Sequence, residues 1–179
     1  MRWVKVGSWV LVMACGDAQN AGSLGVDAAE AEPEKAASTS TPGPSHPADA
    51  YETLDLNALT EEESLAKRME IGAFVYSQGG RKGLACVACH QSHGKGIRGA
   101  FPPLVGQREH MGDCVHHARI ILDGLQGEMV VDGVTYNGVM TPQRALLTDL
   151  EIASVMTYER MSWGNDYGPC LPSHVAEAR

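Results

Sequence analysis

The sequence predicts an all-α domain of three or four helices, with one short hairpin-like loop, over residues 55–170. The first observation is a pair of capping boxes, because Thr60 is followed three residues later by Glu63, and Thr148 by Glu151. Each box precedes apolar residues at helical spacing. The second observation is that Asp113 stands where it can cap a further helix. The domain therefore has a helix near each end and at least one between them.

Residues 1–15 have the pattern of an export signal. Arg2 and Lys5 precede an apolar run that stops at Ala14 and Cys15. This run is shorter than the roughly 20 apolar residues that a membrane-spanning helix needs. The letters Val-Met-Ala-Cys resemble the lipid-attachment box of bacterial lipoproteins. We therefore expect Cys15 to be acylated and to anchor the protein to a membrane; a plain signal peptide with an incidental cysteine is the alternative.

Residues 16–54 are predicted to form a disordered tether. Up to Ala50 this segment consists mainly of Ala, Ser, Gly, Pro and Glu, with hardly a large apolar residue. It cannot bury enough apolar surface to offset the entropy lost on ordering. A flexible chain of this kind would let the domain reach about 30 Å from a membrane.

The elements of the domain follow in chain order. Apolar residues recur at helical spacing over residues 60–77, which predicts the first helix. A second helix is predicted over residues 114–123, where Gly124 ends it. The run GEMVVDGVTYNGVM indicates two extended segments around Asp132-Gly133, which is a hairpin signal. The last helix begins at Thr148 and ends by Gly164, and residues 171–179 are predicted to be a C-terminal tail.

Cys86, Cys89 and His90 form a Cys-x-x-Cys-His pattern, which is typical of covalent attachment of c-type haem. Two cysteines one helical turn apart can each add to one of two neighbouring vinyl groups of a porphyrin. The residue that follows then lies beneath the iron, so that His90 is the candidate proximal ligand. A large apolar cofactor would also supply core volume to a chain in which only 6% of residues are aromatic.

Redox dithiols and zinc sites use the same cysteine spacing. A zinc site could be composed from Cys86, Cys89, Cys114 and one further histidine, namely His93, His116 or His117. The residues that follow this motif favour haem attachment over a zinc site or a redox dithiol. They read HQSHGKGIRGAFPPLVG, and with YNGVMTP and LTDLEIASVMTYERMSWGN downstream they closely resemble class I cytochromes c over most of residues 60–165.

This resemblance implies a cytochrome c-like fold around one covalent haem c and its iron. His90 and Met140 would be the axial ligands, and a thioether ligand raises the reduction potential. The Pro103 carbonyl would accept a hydrogen bond from the His90 ring, and Leu104 would pack on the haem. The competing sulfur ligands are Met111, Met129, Met156 and Met161.

The resemblance also implies a crossing of the first and last helices, with Gly72 and Phe74 against Thr157 and Tyr158. It places the apolar side of the helix over residues 114–123 against the core. His116 and His117 are therefore expected on the surface; the alternative is that one of them is the sixth ligand of a bis-histidine haem.

The chain has five cysteines. With one lipidated and two bound to haem, Cys114 and Cys170 are left over. Export to an oxidising compartment would permit a disulfide between them, and two buried free thiols are the alternative.

The net charge of the chain is −8, yet the stretch around the haem motif is locally positive. A basic rim there would steer an acidic partner. A solvated loop whose charges offset the haem propionates is an equal alternative. The basic residues concerned are Arg81, Lys82, Lys95, Arg98 and Arg108.

These expectations describe a one-electron carrier that exchanges electrons with redox proteins in the periplasm or on the outer side of the cytoplasmic membrane. Neither a small-molecule substrate nor a nucleic acid is expected, and the protein would not be an enzyme by itself. One alternative is a haem-bearing subunit of a quinoprotein dehydrogenase, a denitrification reductase or a terminal oxidase. Another is a gas sensor or peroxidase with an open sixth site on the iron.

Overall fold

The structure, a computed structural model, describes residues 46–179. Cys15, the predicted export signal and most of the predicted tether lie outside the described residues. Within the described part there are seven α-helices, a short 3-10 turn and one two-stranded antiparallel sheet, in the order α1 (Asp49–Glu52), 3-10 turn (Leu56–Ala58), α2 (Glu61–Gln78), α3 (Val87–His90), α4 (Arg108–Met111), α5 (Cys114–Asp123), β1 (Leu125–Val131), β2 (Val134–Met140), α6 (Asp149–Met161) and α7 (Pro172–Ala178). Because α1, α3 and α4 are single turns, the longer helices are α2, α5, α6 and α7. The predicted fold class is confirmed.

The predicted capping boxes form at the starts of α2 and α6. At α2, the Glu63 backbone N–H donates to the Thr60 hydroxyl (3.2 Å) and the Glu63 carboxylate accepts from the Thr60 backbone N–H (2.9 Å). Thr148 and Glu151 repeat this arrangement at α6 with the same two distances, 3.2 and 2.9 Å. Each box satisfies backbone donors that a helix leaves unpaired at its N-terminus.

Helix α5 also begins as the sequence predicts. The Asp113 side chain accepts a hydrogen bond from the His116 backbone N–H at 2.7 Å. The helix then ends at Gly124. All three predicted helix starts depend on hydrogen bonds within a few residues of chain, which is why the sequence alone locates them.

Helices α2 and α6 cross at Gly72. A Cβ atom on Gly72 would lie 2.2 Å from the Ser154 carbonyl oxygen and 2.7 Å from the Tyr158 Cβ, so only glycine permits this approach. The prediction that Phe74 is the aromatic partner of Tyr158 is wrong, because that residue is Tyr76, with ring centroids 5.4 Å apart. Tyr76 stands four residues after Gly72 and shares its helix face, whereas Phe74 points elsewhere and packs against Tyr51 of α1.

Residues 46–54 belong to the folded domain rather than to the predicted tether. Ala48 is buried, and Tyr51 and Leu54 pack against the core. The Tyr51 hydroxyl donates to the buried Glu151 carboxylate at 3.0 Å, and this burial, together with the charge of Glu151, raises the pKa of Tyr51. The ordered domain therefore begins earlier than the predicted residue 55.

The predicted C-terminal tail is instead a helix that belongs to the core. Helix α7 packs on α5 and α6 and buries Val175 completely. The residue that follows the helix, Arg179, donates to the carbonyls of Arg144 (2.8 Å) and Leu147 (2.9 Å). The sequence did not reveal this helix because its seven residues are too few for a clear periodic pattern.

Cys114 and Cys170 form a disulfide that joins the start of α5 to the segment before α7. The Cys170 backbone is buried, and its N–H donates to the Thr157 hydroxyl at 3.1 Å. The Arg68 guanidinium, which is also buried, donates to the Cys170 carbonyl. The C-terminal segment is thereby attached to α2, α5 and α6 together.

The hairpin forms at the predicted turn. Strands β1 and β2 pair so that Leu125 lies opposite Met140 and Val131 opposite Val134. Asp132 and Gly133, the two turn residues, have φ angles of 48° and 72°, as a tight two-residue hairpin requires. Within residues 46–179, no helix combines the length and the apolar character needed to cross a membrane.

Candidate haem site

A cavity of about 450 Å³ opens between α3, the loop after it, α5, α6 and the hairpin. Its wall is mainly apolar, and it brings together the residues that the sequence analysis assigned to the haem although they are up to 54 positions apart. These residues are Cys86, Cys89, His90, Pro103, Leu104 and Met140.

The Cys-x-x-Cys-His segment is a single helical turn. The Cys86 carbonyl accepts hydrogen bonds from the backbone N–H groups of Cys89 (3.2 Å) and His90 (2.9 Å), so both thiols lie on the cavity side of one turn. The two cysteines are half-buried, and neither forms a disulfide. Burial raises the pKa of the Cys86 thiol, and the negative charge of Glu159 raises it further. In the chain without cofactor, Cys86 is therefore a neutral thiol at pH 7.

Aromatic side chains hold the end of this turn. Gln91, the next residue, has a φ of 62°, which is unusual for a residue other than glycine. Its carbonyl accepts a hydrogen bond from the Tyr76 hydroxyl at 2.6 Å, and the Ser92 carbonyl accepts one from the Trp163 indole at 3.0 Å. Since Tyr76 lies on α2 and Trp163 follows α6, the crossing of these helices positions the haem motif.

The His90 ring is oriented by a proline carbonyl, but not by the predicted one. Its Nδ1 lies 2.9 Å from the carbonyl oxygen of Pro102 rather than that of Pro103. A pair of backbone hydrogen bonds between Ile97 and Phe101, both 2.8 Å long, closes the loop directly before Pro102 and sets the direction of its carbonyl. A carbonyl can only accept, so Nδ1 carries the proton and Nε2 keeps its lone pair for a metal.

Met140 is the last residue of β2 and lines the cavity. A Cβ atom on Gly124, which has a φ of 68°, would lie only 2.1 Å from the Met140 carbonyl oxygen. Gly124 thus allows the end of α5 to touch the Met140 backbone. Two of the competing methionines, Met111 and Met129, also line the cavity.

Asn165, the asparagine of the WGN sequence, shapes the site, although the sequence did not predict this role. The Asn165 side chain donates to the carbonyls of Leu104 (3.1 Å) and Glu159 (2.8 Å). It also accepts from the Gly106 backbone N–H at 2.9 Å. Asn165 therefore connects the loop that contains Leu104 to the C-terminal end of α6.

A buried ionisable pair was also missed. His116 is exposed as predicted, but the expectation of a surface position is wrong for His117, whose exposed fraction is 3%. The His117 Nε2 lies 3.1 Å from a carboxylate oxygen of Glu159, which is 4% exposed, and both residues line the cavity. Glu159 follows Val155 by four residues and shares its helix face, which the structure buries, but no pattern in the sequence indicates that His117 meets it there.

The remaining candidates are not among the residues that line the cavity, and several are bonded elsewhere. His93 is exposed, and its Nδ1 accepts from the Lys95 backbone N–H at 3.1 Å. The disulfide removes Cys114 from the alternative zinc site. Of the proposed basic rim, Arg81 forms ion pairs with Asp49 and Glu52, and Arg108 lies over the Tyr167 ring at 4.5 Å.

The comparison with known families agrees with this geometry. The family model for cytochrome c matches residues 69–160. The chain belongs to the cytochrome c family. Two relatives, both from Thermus thermophilus, are named cytochrome c-552. One is 40% identical over 105 residues, which cover 56% of this chain and 66% of that protein. The other is 41% identical over 98 residues, or 52% of this chain and 69% of that protein.

Cytochromes c contain haem c, and the residues of this cavity fit that group. Two thiols are available for its two thioether bonds, an imidazole nitrogen is free for the iron, and a thioether lines the same cavity. When bound, the haem supplies a one-electron Fe(III)/Fe(II) couple. The matched segment spans about two thirds of each relative, 66% and 69% of their lengths.

Proposed function

We propose that this cytochrome c is a one-electron carrier whose haem is attached through Cys86 and Cys89 and ligated by His90 and Met140. The observation that supports it most directly is that all four side chains line one apolar cavity. If His90 and Met140 both ligate the iron, no position would be left for a substrate, and the protein would serve to exchange electrons.

The surroundings of the two axial residues favour rapid electron transfer. The Pro102 carbonyl fixes the His90 ring through the 2.9 Å hydrogen bond, and the close contact with Gly124 limits movement of the Met140 backbone. Ligands that are held in both oxidation states require little reorganisation when the iron changes charge. The mainly apolar wall of the cavity would limit contact between water and the bound haem.

The test is the absorption spectrum of the haem-loaded protein, oxidised and reduced, with and without CO. We expect a low-spin spectrum with a sulfur-to-iron charge-transfer band and no reaction with CO. Met140→Ala should lose the band and bind CO, whereas the matched variant Met129→Ala should retain the wild-type spectrum. A high-spin wild-type protein, or one that binds CO at once, would replace this proposal with a gas- or peroxide-binding function.

We further propose that the protein is exported and lipid-anchored through Cys15, and that its partners are redox proteins at the same membrane. The charged and apolar pattern of residues 1–15 supports export. The Cys114–Cys170 disulfide also supports it, because disulfides persist in oxidising compartments.

Expression of the full chain in a bacterium tests the anchor. The wild-type protein should sediment with membranes and require detergent for release. Cys15→Ser should be exported in soluble form if processing continues, or should keep its signal segment. Recovery of wild-type protein as a soluble periplasmic species would contradict the lipid anchor and leave a plain signal peptide.

A further inference from the structure

We propose that His117 and Glu159 form a proton-binding site coupled to the iron, which takes up a proton when the haem is reduced and releases it when the haem is oxidised. The electron comes from a one-electron donor protein and converts Fe(III) to Fe(II). The proton comes from solvent and binds to the imidazole–carboxylate pair. This inference rests on the proposed electron-carrier function.

The position of the pair is the first argument. His117 is on α5 and Glu159 on α6, both side chains are almost completely buried, and both line the haem cavity. Their Nε2 and carboxylate oxygen are 3.1 Å apart. A buried polar pair on the wall of a mainly apolar pocket costs desolvation energy that leucine or phenylalanine would avoid.

The second argument is that one ring nitrogen of His117 lacks a hydrogen-bond partner. Its Nδ1 is buried and has no hydrogen-bond partner among the described residues. Glu159 has no lysine or arginine within salt-bridge distance in the same part of the chain, so that His117 is its one ion-pair partner there. The pair can thus hold different numbers of protons, and among the described residues no lysine or arginine forms a salt bridge with it that would determine which number is preferred.

Burial next to the haem makes the proton affinity of the pair depend on the iron. Charges in a protein interior are screened much less than charges at the surface. Reduction removes one positive charge from the haem, so a proton bound to the pair becomes more favourable. The charge of Glu159 already acts across this region, because it contributes to the raised pKa values of Cys86 and Tyr76.

Other ionisable groups face the pair and provide the controls. Tyr76 approaches from α2, and Cys86 is consumed by the thioether bond in the loaded protein. The cavity is also lined by His110 of α4, His116 of α5, and Glu128 and Tyr136 of the hairpin, while α7 contributes no residue to the lining. Since His116 is the exposed neighbour of His117 on the same helix, His116→Gln is the matched control.

The experiment measures the reduction potential of the haem-loaded protein from about pH 5 to about pH 9. The wild-type potential should fall with rising pH over part of this range. The limiting slope is about 59 mV for each tenfold fall in proton concentration, for one proton per electron. In the plot of potential against pH, Glu159→Gln and His117→Gln should remove most of this slope, whereas His116→Gln should preserve it.

Proton uptake on reduction is the second readout, measured with a pH indicator in weakly buffered solution. The wild-type protein and His116→Gln should take up a fraction of a proton per electron, and Glu159→Gln should take up much less. Equal slopes and equal uptake in all variants with an intact haem spectrum would overturn the proposal. If the variants fail to bind haem, a wild-type protein that takes up no proton overturns it. A wild-type protein that binds CO would instead refute the proposed function itself.

Discussion

Replacing Gly72 by alanine tests the contact on which the helix crossing depends. Helix propensity alone predicts that Gly72→Ala stabilises the protein by about 1 kcal/mol, because glycine is a poor helix former. The structure predicts the opposite sign. The added Cβ would lie 2.2 Å from the Ser154 carbonyl oxygen, whereas ordinary contact begins at 3.4 Å, so the helices must separate locally by 3.4 − 2.2 = 1.2 Å.

The size of the effect follows from this displacement. A gap of 0.5–1 Å forfeits roughly a quarter to a half of the dispersion energy of each contact, and overpacking typically costs about 1–3 kcal/mol. We take the upper value, about 3 kcal/mol, because the atoms met are a backbone carbonyl and a Cβ, which cannot rotate away. After subtraction of the propensity gain, the free energy of unfolding should fall by about 2 kcal/mol.

The assay is guanidinium denaturation of the haem-loaded protein, followed by circular dichroism and by haem absorbance. Ala66→Gly, at an exposed position of the same helix, is the control and should cost only the propensity difference of about 1 kcal/mol. If Gly72→Ala proves as stable as the wild-type protein, or more stable, the helices do not cross as closely as described.

Three further predictions concern stability. The double variant Cys114→Ser/Cys170→Ser should lose up to about 4 kcal/mol in thermal or denaturant unfolding, since the disulfide closes a loop with a sequence separation of 56 residues; an unchanged melting temperature would show that the bridge adds nothing. Asn165→Ala removes three hydrogen bonds, each worth about 1 kcal/mol, and leaves the carbonyl of the buried Glu159 unpaired, so denaturation should show a loss of about 3 kcal/mol; a loss below about 1 kcal/mol would contradict this role. The backbone N–H and hydroxyl of Thr60 hold the pKa of Glu63 below its ordinary value of 4.5. The ionised Glu63 side chain therefore stabilises the fold fully above pH 4.5, and this stabilisation is lost as the pH falls through the pKa of Glu63 in the folded protein. Glu63→Gln should accordingly flatten the acid limb of a plot of stability against pH.

The position of the buried pair gives the protein a feature that its haem motif does not imply. Attachment and ligation need two thiols, an imidazole and a thioether. The His117–Glu159 pair adds an ionisable group to the wall of the same cavity. If reduction and proton uptake are coupled there, the potential of this cytochrome c depends on the pH of its compartment, and with it the driving force for transfer to an acceptor.

Local chemistry is what the sequence determined. The Thr60 and Thr148 capping boxes, the Asp113 cap and the Asp132-Gly133 turn all form as predicted, because each depends on hydrogen bonds or φ angles within a few residues. The Cys-x-x-Cys-His motif belongs to the same class, since one helical turn contains its whole geometry. The resemblance to class I cytochromes c then implied that the cofactor is haem c.

Only the tertiary structure decided which groups meet across the chain. It placed the Pro102 carbonyl rather than that of Pro103 against His90, and Tyr76 rather than Phe74 against Tyr158. In the folded protein, His117 is also buried against Glu159, which is 42 residues away in the sequence. The predicted C-terminal tail forms a helix that packs in the core. In each case the neighbouring residues in the sequence are nearly equivalent locally. The choice between them depends on how distant helices and loops pack, and a short-range pattern contains no information about that packing.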